Sequence, residues 1–238
     1  MTGDTLQIFS EFLGTMILVL LGDGAVATAV LKKSKGEGGG WVAITLGWGA
    51  AVTIAVYVAG SMGPAHINPA VTLAMAVIGN FEWALVIPFI LAQTAGAFVG
   101  GVLVWLAYAP HFKETKDQGS ILGTFATGPA IRHTVSNVTT EIIGTFVLVF
   151  ALMMFGKNIF ADGLNPLVVG ILVLAIGLSL GGATGYAINP ARDLGPRLAH
   201  QLLPIPNKGA SDWAYSWIPI LAPMVGGVIA ALLYLVIT

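Results

Sequence analysis

Six apolar stretches, at residues 6–30, 41–59, 83–108, 136–156, 164–181 and 213–237, are each about long enough to cross a lipid bilayer, since a spanning helix needs about 20 such residues. Charged side chains make up only 9% of the chain and mean hydropathy is +0.88, whereas soluble domains carry about 25% charge to cover their surfaces. The chain therefore reads as an all-α integral membrane protein. The net charge of −1 with no basic cluster gives no purchase for nucleic acid. With no cysteine there is no disulfide framework, thiol nucleophile or thiolate metal site. The first stretch is expected to stay in the chain rather than act as a cleaved leader, because no Lys or Arg precedes Lys32 and both Asp4 and Glu11 are acidic. Trp41, Trp83, Trp105, Tyr108, Trp213 and Trp217 fall at or near span ends, where an interfacial aromatic belt would lie.

Two further apolar stretches, 69–79 and 190–201, are too short to span, and each follows a Gly-rich segment, 60–66 and 181–187. Irregular backbone at membrane depth is tolerated only where it is buried in protein or lines a cavity. The chain is also a tandem of two related halves. Ser10-Glu11-Phe12-Leu13-Gly14-Thr15 recurs as Thr140-Glu141-Ile142-Ile143-Gly144-Thr145, 130 residues later, and Ile67-Asn68-Pro69-Ala70 recurs as Ile188-Asn189-Pro190-Ala191, 121 residues later. Three spans per copy is an odd number, so the copies face opposite ways through the bilayer, an inverted repeat. The expected organisation is one channel domain over 1–238. Its halves are approximately 1–108 and 136–238, joined by a polar loop, 109–135.

Asn-Pro-Ala suits the start of a helix. Asn is a strong N-cap, Pro at the first helical position loses no needed donor, and Ala lets two helix ends approach. With its oxygen engaged, each Asn amide keeps N–H donors for a passage. Two half-helices of about 11 residues end to end cover about 33 Å, close to one bilayer core. Inversion then brings both N-termini to the midplane, where their dipoles make a positive zone. Asn165-Pro166-Leu167 lacks the Ala and reads as an ordinary cap and first-turn proline of a full-length helix.

With Ala65-His66-Ile67-Asn68-Pro69-Ala70-Val71-Thr72, Asn189-Pro190-Ala191-Arg192-Asp193 and Glu11-Phe12-Leu13-Gly14-Thr15, the chain resembles the major intrinsic protein family of aquaporins and glycerol facilitators over nearly its whole length. The resemblance implies the hourglass fold of six tilted helices and two half-helices, with one pore per subunit of a homotetramer in the cell membrane. It implies a selectivity filter of Trp48, Gly177, Tyr186 and Arg192, which matches the Trp, Gly, Phe and Arg of the glycerol branch except for Tyr186. It also implies a ladder of pore-facing carbonyls from Pro64, Ala65 and His66 and from Gly185, Tyr186 and Ala187. Glu11 and Glu141 would support the loops from behind by holding their N–H groups. Pro64 departs from the small residue usual there, so the local path is open. The chemistry agrees with the glycerol branch. Gly177 leaves room for something wider than water, Trp48 and Tyr186 offer an apolar corner, and Arg192 offers donors in a fixed fork. A Tyr186 hydroxyl facing the lumen would favour solutes with an extra polar group.

The function expected is passive passage of glycerol and similar polyols with water, and of urea, dihydroxyacetone or a protonated hydroxy acid such as lactic acid. The alternatives are a water-selective aquaporin, or a coupled transporter or ion channel. The latter would want unpaired carboxylates along the pathway. An enzyme would need a nucleophile with its base or a metal cluster, and neither is visible; no cofactor or metal is expected, His66 having no second ligand at a suitable spacing. The partners expected are small neutral solutes, water and lipid. One pattern runs the other way. The resemblance puts both termini in the cytoplasm, yet nine of the ten Lys and Arg residues would then lie on or toward the outer side, against the positive-inside rule.

Overall fold

The computed structural model describes residues 1–238 and is all-helical. Five helices are long and apolar enough to cross a membrane: α1 (Gly3–Val30), α2 (Gly40–Gly60), α4 (Trp83–Glu114), α6 (Thr134–Phe155) and α9 (Trp213–Ile237). The sixth stretch forms α7 (Leu164–Leu180), whose 17 residues measure about 26 Å at 1.5 Å per residue. Two half-helices, α3 (Pro69–Val77) and α8 (Pro190–Leu202), follow the Gly-rich segments, and α5 (Gln118–Gly123) is a short helix between α4 and α6.

Packing follows the repeat. Helix α1 lies against α2 and α4, α6 lies against α7 and α9, and α2 meets α7 across the two halves. The half-helices cross over: α3 packs on α9 of the second half, and α8 packs on α4 of the first. Close approach needs glycine at matching places. A Cβ on Gly96 would sit 2.1 Å from the carbonyl oxygen of Phe12, and one on Gly226 would sit 2.4 Å from that of Ile142. Without a strong hydrophobic drive between helices in lipid, small residues at such crossings supply the van der Waals contact. Gly226→Ala is expected to push α9 off α6 and lower the melting temperature of the detergent-solubilised protein. Overpacking of this kind costs about 1–3 kcal/mol, and an unchanged melting temperature would contradict the crossing.

Two local expectations need revision. Residues 109–135 are not a plain polar loop. Helix α4 continues past residue 108 to Glu114 with Pro110 in its last turns, and α5 follows. Asp117 caps α5 by accepting from the backbone N–H of Ser120 at 2.7 Å, and the Ser120 side chain and N–H hold its carboxyl below the usual range. Phe112, Ile121 and Phe125 from this region are fully buried in a cluster with Leu31, Ala199 and Ile205. That burial orders the segment despite its polar composition. At α7 the N-cap is Gly163, in the left-handed region at φ 78°, not Asn165. Asn165 lies inside the first turn and lines the central cavity.

Candidate functional site: a pore between the half-helices

Each half-helix is capped as its sequence dictates. Asn68 Oδ1 accepts from the Ala70 N–H at 2.9 Å, and Asn189 Oδ1 accepts from the Ala191 and Arg192 N–H groups at 3.1 and 3.3 Å. The two helix starts are then stitched to each other. Asn68 Nδ2 donates to the carbonyl of Ile188, and Asn189 Nδ2 donates to the carbonyl of Ile67, both at 2.8 Å. Each amide nitrogen has two N–H groups, so one on each remains for the lumen that both side chains line. Pro69, Ala70, Pro190 and Ala191 are buried in first turns and do not line it.

The loops leading to these caps are strained in the same way. Ala65 and Ile67 in the first, and Tyr186 and Ile188 in the second, have φ of 54°, 45°, 39° and 43°. A β-branched residue in the left-handed region is a genuine outlier, and such strain persists only where surroundings over-determine it. Here two buried carboxylates do so. Glu11 of α1 accepts from the His66 N–H at 2.7 Å, the Ile67 N–H at 2.6 Å and Gln93 Nε2 at 2.7 Å. Glu141 of α6 accepts from the Thr184 hydroxyl at 2.7 Å, the Ala187 N–H at 3.0 Å and the Ile188 N–H at 2.9 Å. With the N–H groups held on the α1 and α6 side, the loops can turn their carbonyls away from it. Pro64, Ala65, His66, Tyr186 and Ala187 line the cavity. Gly185 does not; its N–H is bound to the Gly181 carbonyl at 2.8 Å.

The cavity has a volume of about 250 Å³, and fifteen of its 22 lining residues are hydrophobic. Its wall is thus mainly apolar, interrupted by loop backbone, the amides of Asn68, Asn165 and Asn189, the His66 ring and one cation. Trp48, Tyr186 and Arg192 are among its lining residues, as are Gly156, Asn165 and Val169. The Arg192 guanidinium lies over the Trp48 ring, with its carbon 4.0 Å from the ring centroid.

Gly177 is near this group but does not line the cavity. A Cβ on Gly177 would lie 2.8 Å from Tyr186 Cζ, and one on Gly181 would lie 2.4 Å from Tyr186 Cδ1. Two glycines four residues apart thus form a notch that seats the Tyr186 ring, and Trp41 closes it edge-on, with ring centroids 5.7 Å apart. The glycine creates width by letting the tyrosine ring withdraw. The Tyr186 hydroxyl is buried with no hydrogen-bond partner, so it does not supply the lumen-facing polar group expected from sequence. Tyr186→Phe is therefore expected to leave the flux ratio of glycerol to urea unchanged. It should hold or raise the melting temperature, since an unpaired buried hydroxyl costs about 1–3 kcal/mol. A shifted flux ratio would place that hydroxyl in the lumen.

Gln93, Thr127 and Arg197 were not picked out by pattern. Gln93 joins Glu11 to Thr72, through Nε2 contacts of 2.7 and 2.9 Å. Asp193 is fully buried, accepting from Thr127 N–H and Oγ1 and from Arg197 Nε and Nη2. This network ties the segment after α5 to α8. An acid and a base four apart in an amphipathic half-helix was the available signal. Asp23, inside an apolar span, was the other.

Half-helices meeting head to head beside a cavity that both Asn caps line, with buried carboxylates holding the loops that lead to them, in a chain with five helices apolar enough to span, define the class: an integral membrane pore. The sequence profile described as Major intrinsic protein matches residues 3–234. The chain belongs to that family. It is 65% identical over 229 residues to the Glycerol uptake facilitator protein 3 of Lactiplantibacillus plantarum, covering 96% of this chain and 95% of that one. It is 60% identical to the Probable glycerol uptake facilitator protein of Thermotoga maritima, covering 94% and 96%. The X-ray structure of the aquaglyceroporin from Plasmodium falciparum superposes with a TM-score of 0.85 at 31% identity, covering 98% of this chain and 96% of that one.

Proposed function

We infer that the protein is a passive channel for glycerol and similarly sized neutral polyols, with Trp48, Tyr186 and Arg192 as the walls of its filter and Gly177 as the notch that sets the width. The observation that carries this reading is the pairing of a withdrawn aromatic corner with a single guanidinium in a mainly apolar cavity. A three-carbon polyol has a hydroxylated edge for the Arg192 donors and a carbon edge for the Trp48 and Tyr186 rings. The similarity to proteins named as glycerol uptake facilitators supports the same solute. The free N–H groups of Asn68 and Asn189 then take up the passing hydroxyls at the midplane. Converging half-helix dipoles at the midplane and the Arg192 charge in the filter oppose cations.

The same reading takes the halves as 1–108 and 136–238 within one channel domain, arranges four subunits each with its own pore, and sets them in the cell membrane with both termini cytoplasmic. Five of the ten Lys and Arg residues are engaged in ion pairs with acids (Lys32, Lys33, Arg132, Arg192 and Arg197), and two of these, Arg192 and Arg197, belong to the buried α8 rather than to free loops. The test is flux into proteoliposomes of the purified protein for water, glycerol, urea and lactic acid at neutral and acidic pH. Glycerol flux well above that of empty vesicles and independent of proton or sodium gradients is the expected result. Flux of water alone, or flux driven by a cation gradient, would overturn it.

A further inference from the structure

Asp23 lies in the C-terminal third of α1, is fully buried, and neither of its carboxylate oxygens has a hydrogen-bond partner. A carboxylate in that state is strongly disfavoured unless a counter-charge adjoins it. The cation in reach is Arg192, whose Nη1 is 3.6 Å from Asp23 Oδ1. Asp193, the acid next to Arg192 in sequence, is turned the other way and engaged by Arg197 and Thr127. Conversely, no hydrogen bond within the chain holds the Arg192 side chain, and its Nη1 is buried without a partner. Its position is left to two neighbours, the Trp48 face and the Asp23 charge. The local sequence makes room for both, because a Cβ on Gly22 would sit 2.3 Å from the Trp48 ring.

We propose that Asp23 is a positioning residue of the filter, whose charge draws the Arg192 guanidinium back along Trp48 toward α1 and so sets the aperture through which solute passes. At 3.6 Å the contact is longer than a hydrogen bond, so it works as attraction between charges and leaves the remaining guanidinium N–H groups for solute hydroxyls. The filter then offers fixed donors in a locally balanced field instead of a lone cation. This proposal rests on Arg192 being a wall of the pore.

The test is a double-mutant cycle of Asp23→Asn, Arg192→Ala and the two combined, read as the ratio of glycerol to water flux in proteoliposomes. Asparagine keeps the shape of the side chain and replaces its charge with a neutral amide. The single Asp23→Asn variant is expected to lower the ratio about threefold or more, as for residues sharing one charge pair. In the Arg192→Ala background the same substitution should leave the ratio within about twofold of Arg192→Ala alone. A packing role for Asp23 would instead lower the melting temperature in both backgrounds and leave the ratio as it is. An unchanged ratio in Asp23→Asn while Arg192→Ala alters it, or equal effects of Asp23→Asn in both backgrounds, overturns the proposal alone. An Arg192→Ala variant with the parent ratio removes the filter reading as well. Where Asp23→Asn does not yield folded protein, recovery of folding by the added Arg192→Ala supports the pairing, and a double variant that also fails overturns it.

Discussion

Replacing Glu141 with alanine is expected to abolish glycerol and water flux together and to lower the melting temperature sharply. The carboxylate accepts from Thr184 Oγ1, Ala187 N and Ile188 N at 2.7–3.0 Å with all partners buried. The Thr184 hydroxyl can turn to another acceptor, but the two backbone N–H groups cannot. Each buried donor left unpaired costs about 1–3 kcal/mol. The loop is in addition held at φ 39° and 43° at Tyr186 and Ile188, strain of about 1–3 kcal/mol per residue that relaxes once nothing enforces it. The two unpaired donors alone take away a large share of the stability of an ordinary domain, and release of the strain drives the second loop to another path. Stopped-flow light scattering on proteoliposomes, with a thermal melt in detergent, checks both effects. Glu141→Gln should be intermediate, because one oxygen can still accept while the amide NH2 opposes an N–H. A Glu141→Ala protein with parental flux would show that the loop is held by something other than this carboxylate.

The second large effect is expected at Gly177. Any side chain there meets the Tyr186 ring at 2.8–3.0 Å from its first carbon, and a histidine fills the notch outright. The ring cannot move away from α7 without entering the cavity it lines, so Gly177→His narrows the pore by two rings at once. Displacement of a packed side chain costs about 1–3 kcal/mol, which as an added barrier is roughly 5- to 150-fold in rate. Water is small enough to pass a narrower aperture, so glycerol flux should fall within that range while water flux falls far less. Equal loss of both would mean that the substitution closes the channel entirely. No change in either would mean that the Tyr186 ring is not a wall. Combining it with Tyr186→Ala should restore glycerol flux in part, because the displaced ring is then gone.

What could be read from the sequence is what local chemistry and long repeats dictate. The spans follow from apolar length, the half-helix starts from Asn and Pro at positions where their capping and φ are useful, and the inversion from an odd number of spans per copy. The matching places of Gly96 and Gly226, and of Glu11 and Glu141, come with the repeat itself. The site was less legible where it depends on which side chain yields to which. Gly177 came with the family resemblance, but only the fold shows that its missing side chain seats Tyr186 and that Gly181 completes the notch. Asn165 looked like a helix cap and instead faces the cavity, because Gly163 takes the capping position. The segment 109–135 reads as polar in composition, yet Phe112, Ile121 and Phe125 bury it. Asp23 could have been flagged from sequence as an acid inside an apolar span. Its partner could not, since Arg192 is 169 residues away.

The crossing of the half-helices has a consequence for how the chain is made. Helix α3 rests on α9, and the amide of Asn68 is completed by the carbonyl of Ile188. Both of those partners leave the ribosome long after α3 does. During synthesis the first re-entrant loop, with Ile67 held at φ 45°, has Glu11 behind it but nothing in front. It can insert early, but it cannot lock until the last helix has entered the bilayer. Final closure is therefore a post-insertion event that sets both halves at once, and a nascent chain halted before α9 has only part of the seat for its first half-helix, from α4 and α6.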